Sequence, residues 1–203
     1  MSRHSRRPVN TVQEWERVIE AAARVQQVLP EAVLVGGAES ALHCAHRFSA
    51  DDDHVVKGLL ERYDEIVARI EAEAGWQTNE LKPPVLVLGD FNGVQTGIRN
   101  LIRSAPLETT VYRSKYGDVV LPTLAEMARV KGFLFVRRNA TRDLVDFVAL
   151  TDRLREQGPQ VVEVTLAPLD GLYPQKNGQS VTRQLAKQLA DPKPYDLGDA
   201  TLR

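Results

Sequence analysis

Val33-Leu34-Val35-Gly36-Gly37-Ala38-Glu39-Ser40 joins a short apolar run to two adjacent glycines, and thirteen residues separate Gly37 from Asp51-Asp52-Asp53. An apolar run that ends in glycines predicts a strand turning at once into a helix, because glycine reaches backbone conformations closed to other residues. The free N–H groups at the start of such a helix can seat a phosphate. Arg47 to Val55 predicts extended backbone, in which side chains at i and i+2 share a face. Asp51 and Asp53 then point one way, with Ser49 beside them, and Asp52 points the other way. Carboxylates held side by side repel and raise each other's pKa unless a cation lies between them. Such a pair suits Mg2+, which takes one or two carboxylates plus substrate phosphates. Taken alone, the triplet fits a surface turn just as readily.

Outward from this stretch, Thr11-Val12-Gln13-Glu14 reads as a capping box, and Trp15, Val18, Ile19, Ala22, Val25 and Leu29 recur at helical spacing until Pro30. A brief helix is expected over Glu39 to His46 and a longer one over Gly58 to Ala74. Val85 to Leu88 and Val94 to Ile98 flank Asp90-Phe91-Asn92-Gly93, the signature of a hairpin. A second hairpin is expected from Thr109 to Arg113 and Val119 to Leu121, around Tyr116-Gly117-Asp118. After Pro122, Thr123 and Glu126 form another capping box, and Asn139 or Thr141 caps a further helix running to Gln157. Val161 to Leu166 reads as a strand and Val181 to Leu189 as a terminal helix, ahead of an irregular tail. Helices first, hairpins in the middle and helices last define an α+β fold. The expected organisation is a core over 1–121 and a helical C-terminal portion over 122–203, packed on that core.

The 203 residues include 43% apolar and 26% charged side chains, an ordinary globular composition. Cys44 is the sole cysteine, which excludes a disulfide framework and suits a reducing compartment. No apolar run approaches the ~20 residues of a spanning helix. The basic start, Met1-Ser2-Arg3-His4-Ser5-Arg6-Arg7-Pro8, lacks the apolar stretch of a signal peptide, so a cytoplasmic protein without a membrane role is expected. The net charge of −1 hides a segregation. Asp51 to Glu80 carries nine acids against three bases, and Arg99 to Arg142 carries nine bases against three acids. A polyanion is drawn to the second stretch, although two solvated faces explain the pattern equally well.

Lys131 lies in the middle of an apolar stripe, with Met127, Ala128, Leu134 and Phe135 as its i−4, i−3, i+3 and i+4 neighbours. Burying an ammonium is costly unless something negative meets it. Either its stem snorkels to solvent, or it reaches a site that binds phosphate. Arg138 lies two turns further along the same face, with the same role open to it or a pairing with Asp143 or Asp146. Asp143, near its helix start, is favoured there by the helix dipole alone. Asp146, one turn on, lies between Arg142 and Arg153. His43, His46 and His54 match no compact zinc spacing.

The combination resembles the polymerase-β-like nucleotidyltransferase superfamily, in which a glycine doublet and a helix precede a strand bearing Asp-x-Asp. It is most similar to the AbiEii/AbiGii branch (MenT-like), the toxin components of type IV toxin-antitoxin and phage-defence systems. The carrying residues are Val33-Leu34-Val35-Gly36-Gly37, then His46-Arg47-Phe48-Ser49-Ala50-Asp51-Asp52-Asp53. The later motif is Glu126-Met127-Ala128-Arg129-Val130-Lys131 with Arg137-Arg138-Asn139-Ala140-Thr141-Arg142-Asp143-Leu144-Val145-Asp146. The resemblance implies a mixed β-sheet core flanked by helices and an NTP-dependent transferase using Mg2+, with Mn2+ as an alternative. It implies Asp51 and Asp53 as metal ligands and Lys131 and Asp146 as further catalytic residues. Gly36, Gly37, Ser40, Ser49, Lys131 and Arg138 would contact nucleotide phosphates. The implied acceptor is an RNA such as tRNA, or a protein, and the implied protein partner is a cognate antitoxin. Many members of the superfamily carry a third carboxylate on a central strand, whereas Val94-Gln95-Thr96-Gly97-Ile98-Arg99-Asn100 holds no acid. Asp146 or Asp143 would replace it, or the protein is a weakened enzyme that binds nucleotide or RNA. An Asp-rich metal hydrolase shares the acidic cluster but leaves the glycine doublet and Lys131 without a role.

Overall fold

The computed structural model describes residues 12–196, so the Thr11 capping residue, the basic start and the last residues of the tail lie outside the described residues. The chain divides into two compact units, with the boundary between Pro122 and Thr123.

In the first unit, α1 (Val12–Val28) precedes β1 (Val33–Val35), α2 (Gly37–Cys44) and β2 (Asp51–Val56). Then come α3 (Tyr63–Glu71), β3 (Trp76–Lys82), β4 (Leu86–Phe91) and β5 (Val94–Asn100), and a separate ribbon of β6 (Thr109–Ser114) and β7 (Gly117–Pro122). The main sheet is mixed, in the order β1-β2-β5-β4-β3. Only β2 and β5 run parallel, with Asp51 opposite Gln95 and Asp53 opposite Gly97. Along β2 the side chains alternate strictly. Asp52, His54 and Val56 are buried, and Asp51, Asp53 and Val55 are half-buried. The buried face joins Val18, Ala22 and Val25 of α1 and Ile66 and Ile70 of α3 in one core with Leu34, Val87, Phe91 and Ile98.

The first hairpin forms where the pattern places it. Asn92 and Gly93 both take positive φ, 50° and 85°, the backbone of a two-residue type I′ turn. It is extended by β3, whose residues after Trp76 are mostly exposed and polar, so no alternation announces it. Gly89 of β4 lies under the Trp76 indole, and a Cβ there would overlap the ring. Gly89→Ala should therefore destabilise the fold by about 1–3 kcal/mol, the usual cost of overpacking, read as a lower urea midpoint at unchanged slope. At the ribbon, Gln26 of α1 donates to Val120 O at 2.8 Å and accepts from Val120 N at 2.7 Å. A side-chain amide thus covers the free edge of β7 as a strand would.

The second unit is helical, with α4 (Leu124–Arg138), α5 (Thr141–Arg155), α6 (Val161–Leu166), α7 (Leu169–Leu172) and α8 (Val181–Ala190). Thr123 Oγ1 accepts from Glu126 N at 3.2 Å, as the capping box requires, but the Glu126 carboxylate turns to Arg129 at 2.8 Å. Gly132 lets α4 approach its neighbours, since a Cβ there would stand 3.1 Å from both Phe147 of α5 and Leu185 of α8. Phe133 stacks on Tyr173 with ring centroids 4.0 Å apart.

Three local expectations are corrected. Val161 to Leu166 is a helix, not a strand, because Val161, Val162, Thr165 and Leu166 turn inward while Val164 is 71% exposed, a helical spacing. Packing against α4 and α5 overrides the strand preference of its β-branched residues. Gly58 to Ala74 is helical only over α3, after a turn in which Gly58 takes φ 80°. Neither Asn139 nor Thr141 caps α5. Asn139 ends α4 in the left-handed region, and Ala140 takes the N-cap position.

Candidate functional site

The glycine doublet begins α2 as the sequence implies. Gly36 sits at the N-cap with φ 92° and ψ −142°, a conformation that requires glycine. A Cβ on Gly36 would lie 3.4 Å from Asp53 Cβ, and one on Gly37 would lie 2.7 Å from both Ser49 Oγ and Arg47 Nη2. The doublet therefore stands directly against one of the paired aspartates. It also leaves a notch into which Arg47 and Ser49 reach, beside the free N–H groups that open α2. If the notch seats a phosphate, filling it by Gly37→Ala should weaken nucleotide binding about tenfold or more with a small change in melting temperature. Equilibrium binding of a labelled triphosphate, set beside a thermal melt, checks it.

Two of the proposed phosphate contacts are less open. Ser40 is fully buried, and its hydroxyl donates to Gly36 O at 2.9 Å, tying down the start of α2. Ser49 precedes the strand and is 8% exposed, with its Oγ 3.5 Å from Asp51 O.

Asp51 and Asp53 share a face of β2, and β5 supplies the neighbouring residues Gln95, Gly97 and Arg99 on that face. Gly97 has no side chain, and a Cβ there would overlap Asp53 Oδ1 and lie 3.6 Å from Arg99 Nη2. Across this cleared space Arg99 Nε approaches Asp53 Oδ1 at 3.4 Å. Asp90, two strands away on the same face, turns its carboxylate back to Gly93 N at 2.5 Å. Among the described residues, no group of three or more His, Cys, Asp or Glu side chains is placed to hold a metal ion. Two aligned carboxylates beside a helix start suit a hard cation, whose remaining ligands can be phosphate oxygens and water. By donor type, Asp51 and Asp53 fit Mg2+ or Mn2+.

On the opposite face, Asp52 and His54 are fully buried, with His54 Nδ1 3.2 Å from Asp52 Oδ1. Burial, reinforced by Asp53 and Asp51, holds the Asp52 carboxyl well above the usual carboxylate range against a hydrogen bond from Thr96. Burial also lowers His54 to about 3.

In the second unit, Lys131 is 4% exposed and does not snorkel. Its Nζ lies 2.6 Å from Asp146 Oδ2 and 3.5 Å from Asp143 Oδ1. Asp146 is fully buried and Asp143 is 5% exposed, so the buried ammonium meets two carboxylates of α5. Arg138, with a side chain 57% exposed, reaches Asp143 at 3.9 Å. The four residues singled out in the later motif thus gather into one charged cluster.

The basic stretch is partly consumed within the fold. Arg103 donates to Ala105 O and Pro106 O, Arg129 pairs with Glu126, and both are buried, as is Lys131. Sequence reasoning missed Arg99 and Gly97. Their i, i+2 spacing was visible, but the parallel pairing that sets them beside Asp53 was not.

No known family profile matches the chain. Among solved structures, it is similar to an antigenic nucleotidyltransferase-like protein from Paracoccidioides brasiliensis, with TM-score 0.54 and 15% identity over 89% of this chain and 95% of that one. It is also similar to ANT(2'')-Ia, solved in complex with adenylyl-2''-tobramycin, with TM-score 0.53 and 16% identity over 79% of this chain and 98% of that one. At these identities the likeness establishes the fold, that of the nucleotidyltransferases. Among curated proteins, the chain is 41% identical over 118 residues to the heme uptake protein MmpL11 of Mycobacterium tuberculosis H37Rv, a match over 54% of this chain. It is 36% identical over 103 residues to the mycolic acid-containing lipids exporter MmpL11 of Mycolicibacterium smegmatis, over 49% of this chain. The chain spans only 12% and 10% of the length of these relatives. Among the described residues, no helix is long and apolar enough to cross a membrane.

Proposed function

We propose that this chain is a divalent-metal-dependent nucleotidyltransferase of the AbiEii/AbiGii type. It moves a nucleotide from an NTP to an RNA such as tRNA, or to a protein. We further propose that it is the toxin of a type IV-like toxin-antitoxin pair, acting in the cytoplasm and held in check by a cognate antitoxin. In this reading, residues 1–121 are the transferase core and 122–203 its helical portion. The observation that carries the proposal is the placement of Asp53 between Gly36 and Gly97, on one strand face with Asp51 and beside the start of α2.

Asp51 and Asp53 would hold Mg2+ or Mn2+, which when bound neutralises the triphosphate and polarises the attacked phosphorus. Gly36 and Gly37 let phosphate oxygens approach backbone N–H groups, with Ser49 and Arg47 as side-chain donors at the same notch. Ser40 supports that backbone from within. Asp146 and Asp143 hold the Lys131 ammonium within the second unit.

Incubation with each of four labelled NTPs, total RNA and Mg2+ should label the RNA with one preferred nucleotide, and EDTA should suppress it. If neither RNA nor protein acceptors are labelled by any NTP, with either metal, the transferase reading fails. A second reading, a nucleotide- or RNA-binding module with little turnover, is favoured because β5, over Val94–Asn100, offers Arg99 and no acid beside Asp53. Saturable NTP binding without transfer would support it.

A further inference from the structure

We propose that Arg99 is a nucleotide-binding residue of this site, a fixed cation that takes the place of a second metal ion, so that the loaded site holds one divalent cation. The inference rests on the transferase reading and adds to it the number of metals and the residue that replaces one.

Register places Arg99 on the face of β5 that continues Gln95 and Gly97, two residues beyond the partner of Asp53. The absence of a side chain at Gly97 leaves nothing between Asp53 and the guanidinium, which approach to 3.4 Å. The Arg99 side chain is 41% exposed and that of Asp53 31%, so the pair lies at the open surface of the sheet face, where a ligand can reach it. No third carboxylate joins Asp51 and Asp53 among the described residues, and Asp90 is engaged in its own turn. Two carboxylates can share one divalent ion, but a second would lack protein ligands. A polyanionic triphosphate still needs further positive charge at this end of the sheet. A guanidinium supplies it permanently, since it stays protonated and its planar fork matches phosphate oxygens. In the structure the same group compensates Asp53. With nucleotide bound, Arg99 would face phosphate oxygens and Asp53 would serve as a metal ligand.

The test uses the full chain, Mn2+ as a paramagnetic probe and non-hydrolysable analogues of the four NTPs. Electron paramagnetic resonance titration at saturating analogue should give one bound Mn2+ per chain. Arg99→Ala should weaken triphosphate binding at least tenfold, leave binding of the corresponding nucleoside within twofold, and be largely rescued by Arg99→Lys. Two Mn2+ per chain in the wild type, or an Arg99→Ala affinity within twofold of wild type, would overturn the inference while the transferase reading stands, provided Asp53→Asn still abolishes metal-dependent binding. Absence of metal-dependent binding in the wild type, or indifference to Asp53→Asn, would overturn both. A thermal melt of Arg99→Ala close to wild type is expected. If it melts early, the comparison with Arg99→Lys, which keeps the charge, decides.

Discussion

Asp53→Asn should abolish nucleotide transfer, with a loss well beyond the ~10–100-fold typical of groups that merely support a metal ligand. The amide keeps the size of the side chain but loses the charge that binds a hard cation. Stability should barely move, within about 0.5 kcal/mol, because Asp53 is partly exposed and its partner Arg99 is solvated. Asp52→Asn, one residue away and on the opposite face, provides the contrast. Transfer should fall only a few-fold, since the side chain faces the core. Stability should instead rise at neutral pH. The raised pKa of Asp52 means that the folded chain must keep a proton the unfolded chain has released. That cost is absent below about pH 4 and grows as pH rises from there through the folded-state pKa. The gain from Asp52→Asn should follow the same course in melts taken at several pH values. His54 acts in the other direction. Its lowered pKa makes stability fall as pH drops from about 6.5 toward 3 in both proteins. Equal loss of transfer in both variants would refute the face assignment.

Lys131→Met should destabilise the protein by about 3–5 kcal/mol, the range for breaking one side of a buried ion pair. From the helix stripe alone, methionine is a benign replacement, an unbranched stem among Met127, Leu134 and Phe135. In the folded chain, however, it would leave fully buried Asp146 without its 2.6 Å partner. Adding Asp146→Asn to Lys131→Met should therefore restore part of the lost stability. Chemical denaturation of the two single variants and the double variant checks this, with a positive coupling expected. Additive losses would show that the pair is not a unit.

Several elements were legible in the linear pattern because their signals are local. The Gly36-Gly37 turn into α2, the Asn92-Gly93 hairpin and the Thr123 cap each depend on a few adjacent residues. The alternation of Asp51, Asp52 and Asp53 follows from the pleat of any strand. Strand β3 escaped notice because an exposed edge imposes no apolar rhythm, and α6 was misread because its β-branched residues prefer the structure they do not adopt.

The sequence by itself determined the residue types of the site, the face that Asp51 and Asp53 share, and the need for a negative partner at Lys131. Only the tertiary structure decided which partners those are. Arg99 meets Asp53 because β5 lies parallel to β2 in one register, and Lys131 meets Asp146 because Gly132 lets α4 and α5 pack closely. Strand order and helix packing join residues far apart in the chain, through the burial of apolar faces that carry no record of which element will cover them.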